Sequence, residues 1–221
     1  MPPLDPTISR SEARQMYNAL GAGLDGAARY EAQARAHAIA ALGLAPGQRV
    51  LQVGVGTGGA HRALDRAVMP GGRAVGLDLS RVMLDLTRRR TAAPLCEGDA
   101  VALPFAARCF DRLFSAYLLD LLPTDELPRA LAEFARVLRP GGRVVVVSLT
   151  EGVDLPSRLF VAAWKLRFRL APRSLGGCRP LRLRALVERA GFVVERREVI
   201  TQRGFPSEIV AATLPSAAER V

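Results

Sequence analysis

The stretch Leu51–Gly59, LQVGVGTGG, decides the fold of this chain. The residues Arg49–Val53 are mostly apolar and predict a buried strand, and the glycines after them predict a tight turn that leads into a helix. Glycines in such a turn let the backbone approach a ligand closely. A strand, a glycine-rich turn and a helix in succession therefore predict a nucleotide-binding site.

The glycines fit two nucleotide-binding patterns. Gly54, Gly56 and Gly59 satisfy G-x-G-x-x-G, the dinucleotide pattern. Gly54, Gly56 and Gly58 satisfy G-x-G-x-G, which is typical of enzymes that use S-adenosylmethionine (SAM). Asp78 ends the next predicted strand, where a carboxylate can accept hydrogen bonds from both ribose hydroxyls of either nucleotide. The turn and Asp78 together leave both nucleotides open.

Asp99 favours SAM. It follows the third predicted strand within CEGDAVALPF, residues 96–105, where its carboxylate can accept the adenine amino group and the N–H of Ala100 can donate to the ring. The chain then ends in helix, strand, turn and strand over residues 181–214, and it does not begin the second βαβαβ half of a dinucleotide fold. A closing hairpin of that kind would insert an antiparallel strand into the sheet.

Composition limits the class of protein. A chain of 221 residues with 49% hydrophobic residues fits one sizeable α/β domain and not a disordered chain. No apolar run approaches the roughly 20 residues that cross a bilayer, and the N-terminus lacks the apolar core of a secretory signal. The cysteines, Cys96, Cys109 and Cys178, have no metal-binding spacing, so we expect reduced cytoplasmic thiols and no metal site.

The net charge of +10 suits nucleic acid, a membrane surface or an acidic substrate as partner. Nearly all of this charge is arginine, because Lys165 is the only lysine. A compositional bias of the genome explains such an excess equally well. The charge alone therefore selects no partner.

Strands alternate with helices along most of the chain, which predicts a parallel sheet with right-handed crossovers. We expect an α/β fold with a mostly parallel seven-stranded sheet, an antiparallel C-terminal strand and helices on both faces. The predicted segments are an N-terminal helical lid (1–44), a nucleotide-binding core (45–150), a cap or interfacial-helix insert (151–180), and a C-terminal helix and β-hairpin that complete the sheet (181–221).

Five motifs give the chain a resemblance to the class I SAM-dependent methyltransferases: VLQVGVGTGG, AVGLDLSRVML, EGDAVALPF, FDRLFSAYLLDLLP and VLRPGGRVVVVSL. They cover about residues 45–150 in the family's order and spacing. The chain looks most like the subgroup that includes ubiquinone/menaquinone C-methyltransferases and bacterial phospholipid N-methyltransferases. The resemblance implies a Rossmann-like fold, SAM as cofactor and methyl transfer as reaction.

The same resemblance assigns cofactor-binding residues. The loop with Gly54, Gly56 and Gly58 would hold the methionine part of SAM. Asp78 with Leu79 would hold the ribose, and Asp99 with Ala100 would hold the adenine. These assignments complete the SAM site that the motifs imply.

Gln52 departs from the family's pattern. The family usually has Glu or Asp there, and that carboxylate helps to hold the amino group of SAM. Gln keeps an acceptor oxygen but loses the charge, so an ammonium partner would be held less strongly. The departure allows either weakened SAM binding or a non-catalytic SAM-binding protein. Because Asp78 and Asp99 are retained, we favour activity.

The acceptor is expected at the end of the fourth predicted strand. Methyl transfer from a sulfonium is an in-line displacement, so the protein contributes mainly positioning and desolvation. We expect Tyr117 to contact the acceptor, and Asp120 either to orient an acceptor amine or take its proton, or to cap the next turn. Tyr17 falls where relatives often carry a lid tyrosine, and it either closes over SAM or is an exposed helical residue.

Residues 157–170, SRLFVAAWKLRFRL, predict a basic aromatic helix. On a helical wheel one face carries the cations Arg158, Lys165, Arg169 and Arg173, and apolar side chains with Trp164 cover the rest. This composition suits an interfacial helix over a lipid-binding mouth, or a substrate cap whose basic face lies in water. Arg167 lies away from the basic face, where an anionic substrate group would satisfy it, unless it reaches water or an acidic neighbour.

The sequence favours a SAM-dependent methyltransferase that acts on a lipid or other hydrophobic small molecule. The acceptor would be a phosphatidylethanolamine-type amine or a prenylquinone-type ring, and the protein would be cytoplasmic with peripheral contact at an anionic membrane. The charge would also suit an RNA methyltransferase, but the chain has no appended RNA-binding module and no N/D-P-P-Y/F motif, so nucleic acid is not favoured. A SAM-binding regulator is the other alternative. The sequence predicts neither the methylated atom nor the oligomeric state.

Overall fold

A computed structural model describes residues 9–216, apart from the side chains of Ala27, Ala28, Pro172 and Arg173. The helices are α1 (Arg10–Leu20), α2 (Ala28–Ala41), α3 (Gly59–Val68), α4 (Arg81–Arg88), α5 (Leu127–Val137), α6 (Leu155–Leu170) and α7 (Leu183–Arg189). The strands are β1 (Arg49–Val53), β2 (Arg73–Asp78), β3 (Leu95–Glu97), β4 (Phe110–Ala116), β5 (Leu138–Leu149), β6 (Val193–Gln202) and β7 (Phe205–Thr213). Short 3₁₀ helices lie at Gly21–Ala27, Leu119–Leu121 and Pro172–Leu175.

The strands form one seven-stranded sheet in the order β3-β2-β1-β4-β5-β7-β6. The pairs β1–β2, β1–β4, β2–β3 and β4–β5 are parallel. β7 lies between β5 and β6 and is antiparallel to both. The predicted mixed sheet with one antiparallel C-terminal strand is confirmed.

The valine run in β5 explains how the sheet is buried on both faces. Val144 and Val146 pack with residues of α5 and α7 in one hydrophobic cluster. Val145 and Val147 point the other way and pack with residues of α2 and α3 in a second cluster. A strand covered on both faces has a continuous apolar run in its sequence, because its alternate side chains pack against helices on opposite faces of the sheet.

The helices before β1 are fixed by local signals at their ends. The Ser9 hydroxyl accepts from the backbone N–H of Glu12, and the Glu12 carboxylate accepts from the Ser9 N–H, a capping box that starts α1. Gly21 ends this helix at φ 50°, a value that glycine adopts readily. Residues 1–8 of the predicted lid and residues 217–221 of the predicted C-terminal segment lie outside the described part of the chain.

Within residues 9–216 no helix is long and apolar enough to cross a bilayer. The same part of the chain contains no group of three or more His, Cys, Asp or Glu side chains that could hold a metal ion.

Candidate functional site

The loop between β1 and α3 brings the backbone into the left-handed region at three positions. Gly54, Gly56 and Gly58 have φ values of 78°, 54° and 89°. A Cβ atom added to Gly58 would lie 2.8 Å from the Cα of Thr87 on α4, so a larger residue would have to displace backbone. The dihedral angle therefore favours glycine at all three positions, and at Gly58 the space requires it as well.

Asp78, the last residue of β2, holds this loop in place. Its Oδ2 accepts a hydrogen bond of 3.0 Å from the Gly56 N–H, and its Oδ1 accepts one of 2.9 Å from the Ser80 N–H. Burial raises the pKa of the Asp78 carboxyl, and these backbone donors act in the opposite direction. Each carboxylate oxygen keeps a lone pair, so the group can still accept ribose hydroxyls, and it lines the cavity described below.

Gln52 is buried beneath the loop, with 1% of its surface exposed. Its Nε2 lies 3.4 Å from the Gly54 carbonyl oxygen, a long hydrogen bond. Its Oε1 is buried and has no hydrogen-bond donor among the residues that the structure describes. This orphaned acceptor lies beside the glycine loop but is not part of the wall of the cavity described below. Contact with the ammonium group of SAM, which the resemblance implies, therefore stays a prediction.

Asp99 lies where the adenine is expected, and it is already engaged by α1. Its Oδ2 accepts from Nη1 of Arg10 at 2.8 Å, and its Oδ1 accepts from the Val101 N–H at 3.1 Å. The same Arg10 donates to Glu126 at 2.5 Å. Asp99 and Ala100 both line the cavity. Adenine recognition by these two residues stays a prediction, with Arg10 as a competitor for the carboxylate.

A cavity of about 840 Å³ extends from the glycine loop across the carboxyl ends of β1, β2 and β4. Ligands of doubly wound sheets bind at this edge. Leu79 lines it beside Asp78, and residues of α1, α2 and α6 close it from above. The cavity thus joins the predicted SAM site to a second compartment at the end of β4.

An aromatic wall surrounds that second compartment, formed by Tyr17, Tyr117, Trp164 and Phe205. The rings of Tyr117 and Phe205 lie 6.1 Å apart, and those of Trp164 and Phe205 lie 5.7 Å apart in an edge-to-face contact. The Nε1 of Trp164 donates to the carbonyl oxygen of Cys178 at 2.9 Å. The structure therefore brings two of the predicted acceptor residues, Tyr117 and Trp164, into one compartment, together with Tyr17, which was expected either to close over SAM or to be exposed.

Tyr117 follows β4 with a φ of 54°, an uncommon value for a non-glycine residue. Its hydroxyl hydrogen-bonds the Ser207 hydroxyl at 2.8 Å. The guanidinium of Arg35, on α2, lies 5.8 Å from the ring centroid. Burial raises the pKa of the Tyr117 hydroxyl. These contacts fix the ring where the acceptor is expected.

Asp120 is fully buried and is not part of the cavity wall. Its Oδ2 accepts from the Cys178 thiol at 3.1 Å and lies 3.4 Å from the Leu149 N–H. Burial raises the pKa of the Asp120 carboxyl. Cys178 lines the cavity and bonds this carboxylate, so the structure does not bring Asp120 to the acceptor as expected. Its catalytic role stays a prediction that would require Cys178 to move.

The sequence left two alternatives for Arg167, and the structure matches the one in which its side chain reaches water. Its side chain is exposed, donates to the Ser174 hydroxyl at 2.9 Å and is not part of the cavity wall. The aromatic side of the helix faces inward: Phe168 is buried, and the ring of Phe160 stacks on the ring of Trp164 with 5.6 Å between the centroids. An anionic substrate group is therefore not needed to satisfy Arg167.

The sequence reasoning missed the polar residues that the first two helices place in the cavity wall, Arg10, Glu31 and Arg35. Glu31 accepts from Nη2 of Arg35 at 2.5 Å, one helical turn away. Their spacing of four residues predicts this pair, but only the packed helix shows that the pair faces the cavity.

The fold and the site define a Rossmann-like nucleotide-binding protein, and comparison with known proteins specifies the class. Residues 50–142 match the family model of the methyltransferase domain. The demethylmenaquinone methyltransferase of Renibacterium salmoninarum is 38% identical over 128 residues, which are 58% of this chain and 52% of that protein. The ubiquinone/menaquinone biosynthesis C-methyltransferase UbiE of Paracoccus denitrificans is 42% identical over 118 residues, 49% of this chain and 46% of that protein.

A solved structure shows the fold over a larger part of the chain. The complex of the Haloferax volcanii Trm112 methyltransferase activator with a methyltransferase contains a chain that is 22% identical, with a TM-score of 0.74. The match covers 92% of this chain and 97% of that one. By contrast, the chain spans about half the length of the curated relatives it matches.

Residues 50–142 therefore match a methyltransferase domain, and the comparisons support a class I SAM-dependent methyltransferase with SAM as cofactor. Within that class the chain resembles the ubiquinone/menaquinone C-methyltransferases.

Replacing Asp78 with Ala should weaken SAM binding by about 1.5–3 kcal/mol, the contribution of charge-assisted hydrogen bonds. The loss includes the loop contact to Gly56 as well as the ribose contacts. Asp85→Ala is the control, because Asp85 is exposed on α4 and pairs only with Arg88 in the ion pairs of the described chain. Calorimetry with both folded variants checks the assignment, and equal SAM affinities would contradict it.

Replacing Gln52 with Glu should tighten SAM binding by at most about tenfold, because a charge is added next to the expected ammonium group. Gln33→Glu, on the exposed side of α2, adds the same charge away from the cavity and should leave SAM affinity unchanged. Weaker SAM binding by a folded Gln52→Glu variant would show that the pocket requires the neutral amide.

Proposed function

We propose that this protein is a SAM-dependent methyltransferase that acts on a hydrophobic small molecule with a prenylquinone-type ring. The observation that carries the proposal is the single cavity that joins the glycine loop and Asp78 to the aromatic compartment at Tyr117 and Trp164. Cofactor and acceptor bound in its two halves would meet at the carboxyl end of β4. Two reactants held in one water-poor cavity gain most of what a methyl displacement requires.

SAM would supply an electrophilic methyl group on its sulfonium. The protein's own residues bind and orient: the glycine loop and Asp78 fix the cofactor half, and the rings of Tyr117 and Trp164 bound the acceptor half. Apolar side chains of α1 and Trp164 of α6 line the cavity and would limit the access of water to the reacting centre. Positioning and desolvation are thereby combined in one site.

A flat ring is favoured over a phosphatidylethanolamine-type amine for two reasons. The compartment is bounded by four aromatic rings, which suit offset or edge contacts with a planar acceptor. The curated relatives carry the names of quinone-pathway methyltransferases. An amine acceptor, an RNA acceptor and a SAM-binding regulator without turnover are the alternatives to be separated by experiment.

Transfer of labelled methyl from SAM to a panel of acceptors tests the proposal. A prenylhydroquinone should be methylated, and phosphatidylethanolamine and tRNA should not. If only phosphatidylethanolamine or only tRNA is methylated, that molecule is the acceptor and the prenylquinone-type ring is not. SAM binding without turnover on any acceptor would favour the regulator.

Trp164→Ala should raise the KM for the prenylhydroquinone by about tenfold or more, since a buried aromatic contact is lost. SAM affinity should stay unchanged, because Trp164 lies in the acceptor half of the cavity. Trp164→Phe keeps the ring contacts and loses only the hydrogen bond to Cys178, so it is the matched control. Equal KM values for Trp164→Ala and the wild type would contradict the proposed acceptor position.

The outer face of α6 supports a second part of the proposal, contact with an anionic membrane. Four leucines on this face are exposed: Leu155 (70%), Leu159 (64%), Leu166 (59%) and Leu170 (78%). Their spacing puts them on one side of the helix, with the exposed Arg158 and Arg169 beside them. Leucines flanked by arginines fit an apolar acyl layer below anionic headgroups. A membrane-bound prenyl acceptor would enter the cavity from that surface.

Leu159→Glu/Leu166→Glu should reduce binding to phosphatidylglycerol-containing vesicles by about tenfold or more, because apolar burial is replaced by charge repulsion. Val193→Glu, at an exposed position on β6, is the control. Vesicle flotation at low and high salt measures the vesicle binding of the double variant and of the Val193→Glu control. If the wild type does not float with anionic vesicles, α6 is not a membrane-binding surface.

A further inference from the structure

Glu31 is a carboxylate in the wall of the acceptor compartment. Its side chain is 14% exposed, and it accepts from Arg35 at 2.5 Å. Arg35 in turn lies over the ring of Tyr117, at 5.8 Å from the centroid. The pair therefore faces the place where the acceptor ring is proposed to lie.

Glu31 is separated from the other carboxylates of the cavity wall. Asp78 and Asp99 lie in the cofactor half, as described above. Asp25 accepts from Thr57 and Arg90 beside the glycine loop. Within the described part of the chain, Glu31 is thus the carboxylate that borders the acceptor compartment.

The ionisable groups around Glu31 come from several elements. Arg35 attracts its charge, and Asp120 behind the cavity wall repels it. The hydroxyls of Tyr17 and Tyr117 and the thiol of Cys178 also interact with it, and burial raises the pKa of each of these three groups. Those groups remain neutral at physiological pH, so Arg35 is the main counter-charge.

Burial raises the pKa of Glu31 to about 7, and Arg35 opposes this rise. A carboxylic acid with this property changes between acid and base near neutral pH. General bases work best when their pKa lies near the operating pH.

We propose that Glu31 is the general base that takes the proton from a hydroxyl of the acceptor ring, while Arg35 stabilises the resulting oxyanion. The inference rests on the proposed function. It adds a requirement for the acceptor: a hydroxyl on the ring, near the carbon that is methylated.

The hydroxyl proton moves to Glu31, and the O–H electron pair is delocalised into the ring. The activated ring carbon would then take the methyl group that SAM supplies, and the electron pair of the methyl–sulfur bond would stay on sulfur. Loss of the ring hydrogen to water as a proton restores the aromatic ring, and Glu31 returns its proton to the oxygen. One proton is released per methyl transferred.

The pH dependence of kcat/KM for a prenylhydroquinone tests this role. Because the base must be deprotonated, the wild-type rate should fall tenfold per pH unit below about 7. Glu31→Gln should lower kcat by about 10²–10⁴-fold and lose this dependence, and Glu31→Asp should retain part of the rate. Glu188→Gln, which disrupts an exposed pair with Arg184 on α7, is the matched control and should behave as the wild type.

Two further readouts separate catalysis from folding or binding. Quenching of Trp164 fluorescence by the prenylhydroquinone, measured without SAM, should give similar affinities for wild type and Glu31→Gln. Added formate should restore turnover to Glu31→Ala, since a small carboxylate can occupy the space left by the side chain. Rescue by formate would also show that the variant is folded.

The outcomes distinguish this inference from the proposed function. If the wild type does not methylate the ring acceptor, the proposed function fails and the inference fails with it. If the wild type is active and Glu31→Gln keeps its rate and pH profile, only the role of Glu31 is overturned. A loss of acceptor affinity in Glu31→Gln with kcat intact would also overturn it, in favour of a binding role.

Discussion

The hydrogen bond from the Gly56 N–H to the Asp78 carboxylate is the contact on which the site depends. It ties the loop after β1 to the end of β2, and so connects two parallel strands at their carboxyl ends. The loop can adopt this path only because its glycines take positive φ values. Once the loop is held in this way, its backbone lies close to the cavity. The Asp78 carboxylate can still accept hydrogen bonds from a ligand.

The N-terminal helices turn this open edge of the sheet into a cavity. The outer part of the cover that they form, α1 and the 3₁₀ helix after it, is attached by polar contacts between distant parts of the chain: Arg10 with Asp99 and Glu126, and Asp25 with Arg90. These pairs are partly exposed, and ion pairs of that kind contribute about 0–1 kcal/mol each. Because α1 has no buried residue, these weak contacts, and not core packing, hold it over the cavity. By contrast, α2 packs in the second hydrophobic cluster.

Local sequence signals predicted the sheet and the cofactor half of the site. The valines of β5, the glycines of the loop and the aspartates after the second and third predicted strands each act over a few residues, so their roles follow from periodicity and spacing. The acceptor half depends on contacts between distant residues. Tyr117 and Ser207, whose hydroxyls are hydrogen-bonded, are 90 residues apart, and no sequence pattern links Glu31 to the end of β4. The helix α6 was predicted as a helix, but the sequence left open whether Arg167 meets a substrate or reaches water, because stacking of Phe160, Trp164 and Phe205 decides which side faces inward.

A crystal structure with S-adenosylhomocysteine and a prenylhydroquinone would test the central claim most directly. It should show the ribose hydroxyls on Asp78 and the acceptor ring between Tyr117 and Trp164. A ring hydroxyl should lie within hydrogen-bond distance of Glu31, and a neighbouring ring carbon should point at the sulfur. An acceptor bound outside this compartment, or a nucleoside that does not contact Asp78, would contradict the account.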